Sequence, residues 1–335
     1  MNNSARILPF ISVVIPVKNA GRFIPQCLNS LNNLNYPKDR YEVIIADSSS
    51  TDNTRELSAS LGAKVVAADG ESVCAGRNSG FKAARGEIIA FSDADCVMDR
   101  DWLFNAVKYF KDEKIGCVGG PSLIPDDETA FGKACGFIFS HRIFTAGSTY
   151  GLNLKEVREV RHNPGCNAIY RRQALEKAMP VDERFIEGED VVMNKRIVDS
   201  GYKFLYTPDT RLWHYRSSTP RRFWRQNFRY AIGRLLIGRA YRELLKPMHI
   251  LVGLSIPIIL GTGIVLAFIN STALGWLLSL SIGLLVFLFL WGLIRTGSFA
   301  VAISAPWAVL ILMSAWSLGF MKELFFPVHK TMGKK

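Results

Sequence analysis

The chain has 335 residues, a formal net charge of +12 and 49% hydrophobic residues. That length excludes a single small domain and is enough for one catalytic domain plus an appendage. The six cysteines, Cys27, Cys74, Cys96, Cys117, Cys135 and Cys166, make no C-x-x-C pair and no metal-finger spacing, which argues against a zinc finger and reads as reduced thiols of a cytosolic domain.

The opening "MNNSARILPF" has no apolar signal-peptide core, so the first part of the chain is expected in the cytoplasm. "ISVVIPV" (11–17) predicts a short buried strand, and 22–34 places Phe23, Cys27, Leu31 and Leu34 at helical spacing. "YEVIIA" (41–46) predicts the next strand and runs into polar "DSSSTDNT". A helix over 52–61, a strand "KVVA" and a helix within 75–86 come next, then "EIIAFS" and the pair Asp93 and Asp95. Strands alternating with helices predict a mostly parallel sheet flanked by helices. Ligands of such sheets bind beyond the carboxyl ends of the strands, where Asp47 and Asp93–Asp95 fall.

No G-x-G-x-x-G comes after the first strand and no G-x-x-x-x-G-K-[ST] occurs, which argues against a dinucleotide site and a P-loop. Two carboxylates at such a crevice suit a hard cation, Mg²⁺ or Mn²⁺. Taken alone, the D-x-D reads equally as a solvated acidic turn, and Asp47 as a helix cap. Glu189 and Asp190 open an amphipathic helix, where acids favour the positive end of the dipole.

The composition shifts near residue 246. Segment 214–246 mixes Arg216, Arg221, Arg222, Arg225, Arg229, Arg234, Arg239 and Arg242 with aromatic and leucine residues, the pattern of a helix in a membrane interface. Its place beside apolar runs favours anionic lipid over nucleic acid. Runs 249–269, 273–294 and 298–321 carry no Asp, Glu, Lys or Arg, and each has the roughly 20 residues a helix needs to cross a bilayer. Trp276, Trp291, Trp307 and Trp316 suit interfaces. Three spans would put the Lys-bearing tail outside, against the positive-inside tendency, so two to three spans are expected, one run being re-entrant or not spanning. The expected division is 1–213 catalytic, 214–248 basic interface helices, 249–321 transmembrane and 322–335 a basic tail.

These motifs, in this order, resemble a family 2 glycosyltransferase with the GT-A fold, and the resemblance covers roughly residues 10 to 240. "SVVIPVKNAGRFIPQCLNSL" resembles its opening strand and helix, "EVIIADSSSTDNT" its V-D-D-G-S-T-D segment, and "GRNSGFKAARGEIIAFSDAD" its R-N-x-G stretch leading to D-x-D. "NPGCNAIYRRQAL" resembles the acceptor-side G-G-N segment and "FIEGEDVVMNKRI" the E-D motif. The tail, "RQNFRYAIGR" before membrane spans, is similar to succinoglycan-type membrane glucosyltransferases.

The resemblance implies an inverting, metal-dependent enzyme of the cell membrane, with its catalytic domain cytoplasmic. It would move a sugar from a nucleotide-sugar, UDP-linked by expectation, to a lipid-linked (polyprenyl) acceptor. It implies nucleotide-sugar contacts for Pro16, Asp47, Arg77 and Asp93, and a Mn²⁺ or Mg²⁺ held by Asp95 and His214. It makes Asp190 the general base and puts Asn167, Glu189, Gln226, Arg229 and Tyr230 on the acceptor or product side. His214 has the competing reading of a buried structural histidine, and Arg77 that of a surface charge. Two departures, Ala20 after Asn19 and Ser48 after Asp47, fall on the nucleotide side. A processive synthase and a non-catalytic sugar-nucleotide-binding membrane protein are the competing functions.

Overall fold

The structure, a computed structural model, describes residues 8–145, 148–185, 187–215 and 219–327. Arg216 of the basic segment and the end of the expected tail, 328–335, lie outside the described residues. The chain divides into two compact units, 1–125 with 148–215 and 126–147 with 216–335.

The first unit is built on an eight-stranded sheet. Strand β1 (Ile11–Val17) leads to helix α1 (Ile24–Asn32), β2 (Tyr41–Asp47) to α2 (Thr54–Ser60), and β3 (Lys64–Ala67) to α3 (Val73–Ala83). Strands β4 (Ile88–Phe91) and β5 (Cys96–Met98), helix α4 (Trp102–Val107), and strands β6 (Ile115–Gly119) and β7 (Ser122–Leu123) continue the chain. After helices α5 (Ala130–Phe139) and α6 (Arg142–Thr145), which belong to the second unit, come β8 (Arg158–Val160), β9 (Ala168–Arg171), α7 (Arg172–Leu175), α8 (Glu189–Asp199), β10 (Lys203–Tyr206) and β11 (Leu212–His214).

The sheet order is β3-β2-β1-β4-β9-β6-β10-β8. The first four strands are parallel, as the alternation predicts, and β9 runs antiparallel between β4 and β6. Strands β1 and β4 are apolar on both faces because helices cover both, and two apolar clusters fill the layers. Ile15, Leu28 and Trp102 lie in one, Phe91, Tyr170 and Phe204 in the other. Register brings Val17 beside Asp47 and Phe91 beside Ala168, so the carboxyl ends of β1, β2 and β4 and the start of β9 share one edge. A second sheet, β5-β11-β7, sets His214 opposite Cys96.

The second unit is helical. Thr219 caps α9 (Pro220–Ala240) by accepting from the Arg222 N–H, and Pro220 fills the first turn, where no N–H is needed. Then come α10 (Pro247–Gly253), α11 (Ser255–Ile269), α12 (Ser271–Thr296) and α13 (Phe299–Phe325). Among the described residues, α12 and α13 are long and apolar enough to cross a membrane, with mean hydropathies of 2.5 and 1.9. The first apolar run is not one straight helix: α10 and α11 meet at 52°. Pro257 has no N–H to give to the Gly253 carbonyl four residues back, and the Ser317 hydroxyl donates to that carbonyl instead, at 2.9 Å. Trp276 and Trp307 are largely exposed on their helices, as residues facing lipid would be.

Candidate active site

The loops after β1 and β2 are laced together. Asn19 Oδ1 accepts from the Thr51 N–H, and Ser50 Oγ accepts from the Asn19 N–H, both at 2.8 Å. Asn19 and Ser49 adopt left-handed backbone angles, φ 53° and 57°, a strain that loops at functional edges often hold. Ala20, one of the two departures, sits at the margin of the core beside α1. This lacing fixes Asp47, which is buried at the end of β2. Its Oδ2 accepts from the Ser50 N–H and pairs with Arg55, whereas its buried Oδ1 has no partner. Burial alone would raise the Asp47 carboxyl, but Ser50 and Arg55 hold it below its ordinary value. An ionised, buried oxygen without a donor is costly unless a ligand supplies one. Pro16 lies one residue before the end of β1, packed close to Gly76 of α3.

Asp93 and Asp95 lie just past β4 on the same edge. The β5–β11 pairing carries His214 to Asp95, with Nε2 3.2 Å from Oδ1, and the Tyr215 N–H donates to the Asp95 carbonyl at 3.0 Å. Burial works against the imidazolium, but Asp95 outweighs it and raises the His214 pKa well above its ordinary value. Asp93 is partly exposed; burial, the Cys166 thiol and Asp95 raise its carboxyl to about 7, with Arg77 and His214 pulling the other way. One ligand atom each from Asp95, Cys96 and His214 lies within 4.8 Å of the others, and His214 Nδ1 is buried without a hydrogen-bond partner. A carboxylate and an imidazole with a nitrogen to spare form a donor set that fits a divalent ion such as Mn²⁺. His214 is both buried and within 3.2 Å of Asp95 of the D-x-D.

Gly188, at φ 84°, turns the chain into α8 so that Glu189 and Asp190 occupy its first turn, where the helix dipole favours acids. The two carboxylates diverge. Glu189 points inward and pairs with Arg77, their side chains 8% and 3% exposed. Burial raises Glu189 to about 7 against the pull of Arg77, with Asp190 adding to the rise. Burial works against the Arg77 charge, but Glu189, Asp93 and Asp190 overcome it and raise the Arg77 pKa. Arg77 is therefore no surface charge; it ties α3 to α8 beneath the edge. Asp190 stays nearer the surface, and its Oδ2 accepts from the Gly165 N–H at 2.9 Å. Gly165 is needed there, because a side chain would meet the Arg77 guanidinium.

Asn167 lies on this edge but faces inward. Its Oδ1 accepts from Trp102 Nε1 at 2.9 Å and its Nδ2 donates to the Thr210 and Pro121 carbonyls at 2.9 and 3.3 Å. Both amide hydrogens are engaged, so the side chain braces the loop. Gln226, Arg229 and Tyr230 belong to the second unit, on α9, where Gln226 Nε2 donates to Tyr230 Oη at 3.0 Å and Arg229 is exposed. The sequence reading overlooked His162, 3.9 Å by Nε2 from Asp190 Oδ2. It sits in no motif; it lies on the connection from β8, which pairs with β10, to β9, which pairs with β4 and β6, and it meets α8 only in the fold, through Asn194 and Asp190.

Residues 12–179 match the family described as glycosyl transferase family 2. The chain is 29% identical to glycosyltransferase AglE of Haloferax volcanii over 211 residues, 60% of this chain and 66% of that one. It is 30% identical to the probable glycosyltransferase YdaM of Bacillus subtilis over 237 residues, 68% of this chain and 55% of that one. The chain thus spans a little under two thirds of one of these relatives and about half of the other. A third relative, the dolichyl N-acetyl-α-D-glucosaminyl phosphate 3-β-D-2,3-diacetamido-2,3-dideoxy-β-D-glucuronosyltransferase of Methanococcus voltae, is 25% identical over 250 residues, 70% of this chain and 76% of that one. Among solved structures, a mannosyltransferase of Pyrobaculum calidifontis in complex with GDP-Man and Mn²⁺ superposes with a TM-score of 0.68 at 19% identity, over 96% of this chain and 88% of that one. That likeness is one of fold, and the fold is GT-A.

Proposed function

The chain belongs to glycosyl transferase family 2, and on that premise we propose that it moves a sugar from a nucleotide-sugar to a lipid-linked acceptor at a membrane, with inversion. The observation that carries the reading is the convergence on one sheet edge of Asp47, with its unpartnered buried oxygen, the Asp93–Asp95–His214 group and Asp190 at the start of α8. Asp47 Oδ1 accepts an N–H of the nucleotide base, and Pro16 and Arg77 shape the nucleotide side. Asp95 and His214, with Asp93 nearby, would hold a Mn²⁺ or Mg²⁺, which would supply charge neutralisation for a departing diphosphate. Asp190, steadied by the Gly165 N–H, takes the proton of the acceptor hydroxyl. Glu189 and Asn167 brace that acceptor side from behind. With a single base, the transfer is a direct displacement, so an α-linked donor gives a β-linked product.

A lipid acceptor is supported by two apolar helices able to cross a membrane and by the exposed Arg221, Arg222, Arg225 and Arg229 of α9. It is supported further by the Methanococcus voltae relative, which is named for a dolichyl-linked substrate. In this reading the catalytic unit lies on the cytoplasmic side, 214–248 is the interface segment, and Gln226, Arg229 and Tyr230 meet the acceptor or product.

The test is nucleotide release from a panel of UDP- and GDP-sugars by membranes containing the full chain, in Mn²⁺ or Mg²⁺ and then in EDTA. The expected result is metal-dependent release from one donor, enhanced by native lipid extract. Tight nucleotide binding with no release from any donor, lipid extract included, overturns the transferase reading in favour of a non-catalytic binding protein. A polymeric product would replace single transfer by a processive synthase.

A further inference from the structure

His162 is a buried-edge titratable group that the proposed chemistry leaves unused. It precedes β9, its side chain is 21% exposed, and its ring lies against Asp190 and Asn194 of α8. Its two nitrogens have different neighbours. Nδ1 lies 2.8 Å from Asn194 Nδ2, and Nε2 lies 3.9 Å from Asp190 Oδ2.

The hydrogen-bond chain around Asn194 fixes where the imidazole proton sits. Asn194 is fully buried on α8. Its Nδ2 is 2.7 Å from the Asn163 carbonyl, which can only accept, so the amide orientation is determined. The Tyr170 hydroxyl donates to Asn194 Oδ1 at 2.6 Å, consistent with that orientation. The second hydrogen of Nδ2 then points at His162 Nδ1, which must be the unprotonated nitrogen. The ring proton is left on Nε2, directed at the Asp190 oxygen that already accepts from the Gly165 N–H.

We propose that His162 is a positioning residue for Asp190: its Nε2–H donates toward Asp190 Oδ2, and Asn194 locks that tautomer by donating to Nδ1. The inference rests on the reading of Asp190 as the base. The Gly165 N–H bonds that oxygen at 2.9 Å and the imidazole N–H stands 3.9 Å from it, outside hydrogen-bond range but close enough for its dipole to favour the ionised carboxylate as it awaits the acceptor proton. Protonating Nδ1 would set two donors against each other, which opposes the imidazolium that the Asp190 carboxylate would otherwise favour. The other charged or titratable groups bearing on this corner are Arg77 from α3, Tyr170 on β9, and Glu187 and Glu189 beside Asp190. All are shared by the His162 and Asn194 variants, so differences between those variants report His162.

The first measurement needs no activity. Nitrogen-detected spectra of the full chain, labelled at histidine and held in detergent, report the tautomer of each ring, with His162→Gln assigning the signal. The expected result is an Nε2–H tautomer for His162 that does not titrate between about pH 8 and pH 5.5, and that becomes titratable in Asn194→Leu. An Nδ1–H tautomer, or ordinary titration in the parent, overturns the proposal. The second measurement is metal-dependent nucleotide release from the active donor of the UDP- and GDP-sugar panel. His162→Phe is expected to lose about 10- to 100-fold in kcat with the donor KM unchanged. It is also expected to move the acid limb of the pH profile up by about half to one unit. His162→Gln, whose amide places a donor near the Nε2 position, is expected to recover most of the loss. A His162→Phe protein with the parent's kcat and acid limb also overturns the proposal. If Asp190→Asn retains full activity, it is the base assignment that fails, and the tautomer result still stands on its own.

Discussion

Removing Arg77 should destabilise the first unit, and by more as the pH rises. Arg77 and Glu189 pair with side chains 3% and 8% exposed, and Asp190 stands beside them. Deleting one partner of a buried pair costs about 3–5 kcal/mol, because the other charge is left without compensation. For a unit of this size each kcal/mol moves the unfolding midpoint by about 2–4 °C, so Arg77→Met should lose about 6–20 °C. The pH dependence has a definite sign. Glu189 already titrates at about 7 in the fold, raised from 4.5 by burial against the pull of Arg77. Without Arg77 it rises further. A carboxyl raised by folding contributes stability that is fully present below its unfolded value and is lost as pH rises through the folded one. The loss should therefore be largest at about pH 9 and smallest at about pH 5. The assay is thermal unfolding of the full chain in detergent at both pH values, with Arg77→Met, Glu189→Leu and the double variant. The double variant should recover much of the loss at about pH 9, since it leaves no lone carboxylate. A single-variant loss that is equal at both pH values, or a double variant no better than Arg77→Met, would refute the reasoning and return Arg77 to a direct nucleotide contact.

The other expectations concern separate parts of the site. Asp47→Ala should weaken nucleotide binding about 10- to 100-fold by calorimetry, the worth of one hydrogen bond to a charged acceptor. His214→Ala should weaken Mn²⁺ binding and lower turnover about 100-fold or more, read by metal titration, since several kcal/mol of charge neutralisation are at stake. Trp102→Phe should leave the buried Asn167 oxygen without its donor, 2.9 Å away in the parent, and cost about 1–3 kcal/mol in a denaturant melt.

The parallel half of the sheet and its acidic edge were legible in the sequence. Continuous apolar runs at 11–17 and 88–91 identify strands buried on both faces, and the polar and acidic residues at their carboxyl ends mark the crevice. The D-x-D, Asp190 and His214 were singled out by motif, whereas the β5–β11 pairing that brings His214 to Asp95 spans a sequence separation that periodicity cannot see. The antiparallel insertion of β9 was not legible, because a four-residue apolar run states no direction. Segment 126–147 reads as part of the catalytic domain, yet it belongs with the C-terminal helices; its apolar helix α5 is too short to announce a separate unit. The inward turn of Glu189 and the spectator amide of Asn167 depend on which side of a helix or loop meets the core, and a motif does not say which. His162 carried no motif at all.

The proposed chemistry turns on Asp190 as the base of a metal-dependent sugar transfer. It is tested most directly by comparing the parent chain with Asp190→Asn in two assays, turnover of the active nucleotide-sugar and calorimetric binding of the corresponding nucleoside diphosphate with Mn²⁺. If Asp190 is the base, turnover falls by about 10²-fold or more while nucleotide binding stays at the parent's affinity. Undiminished turnover in Asp190→Asn would contradict it.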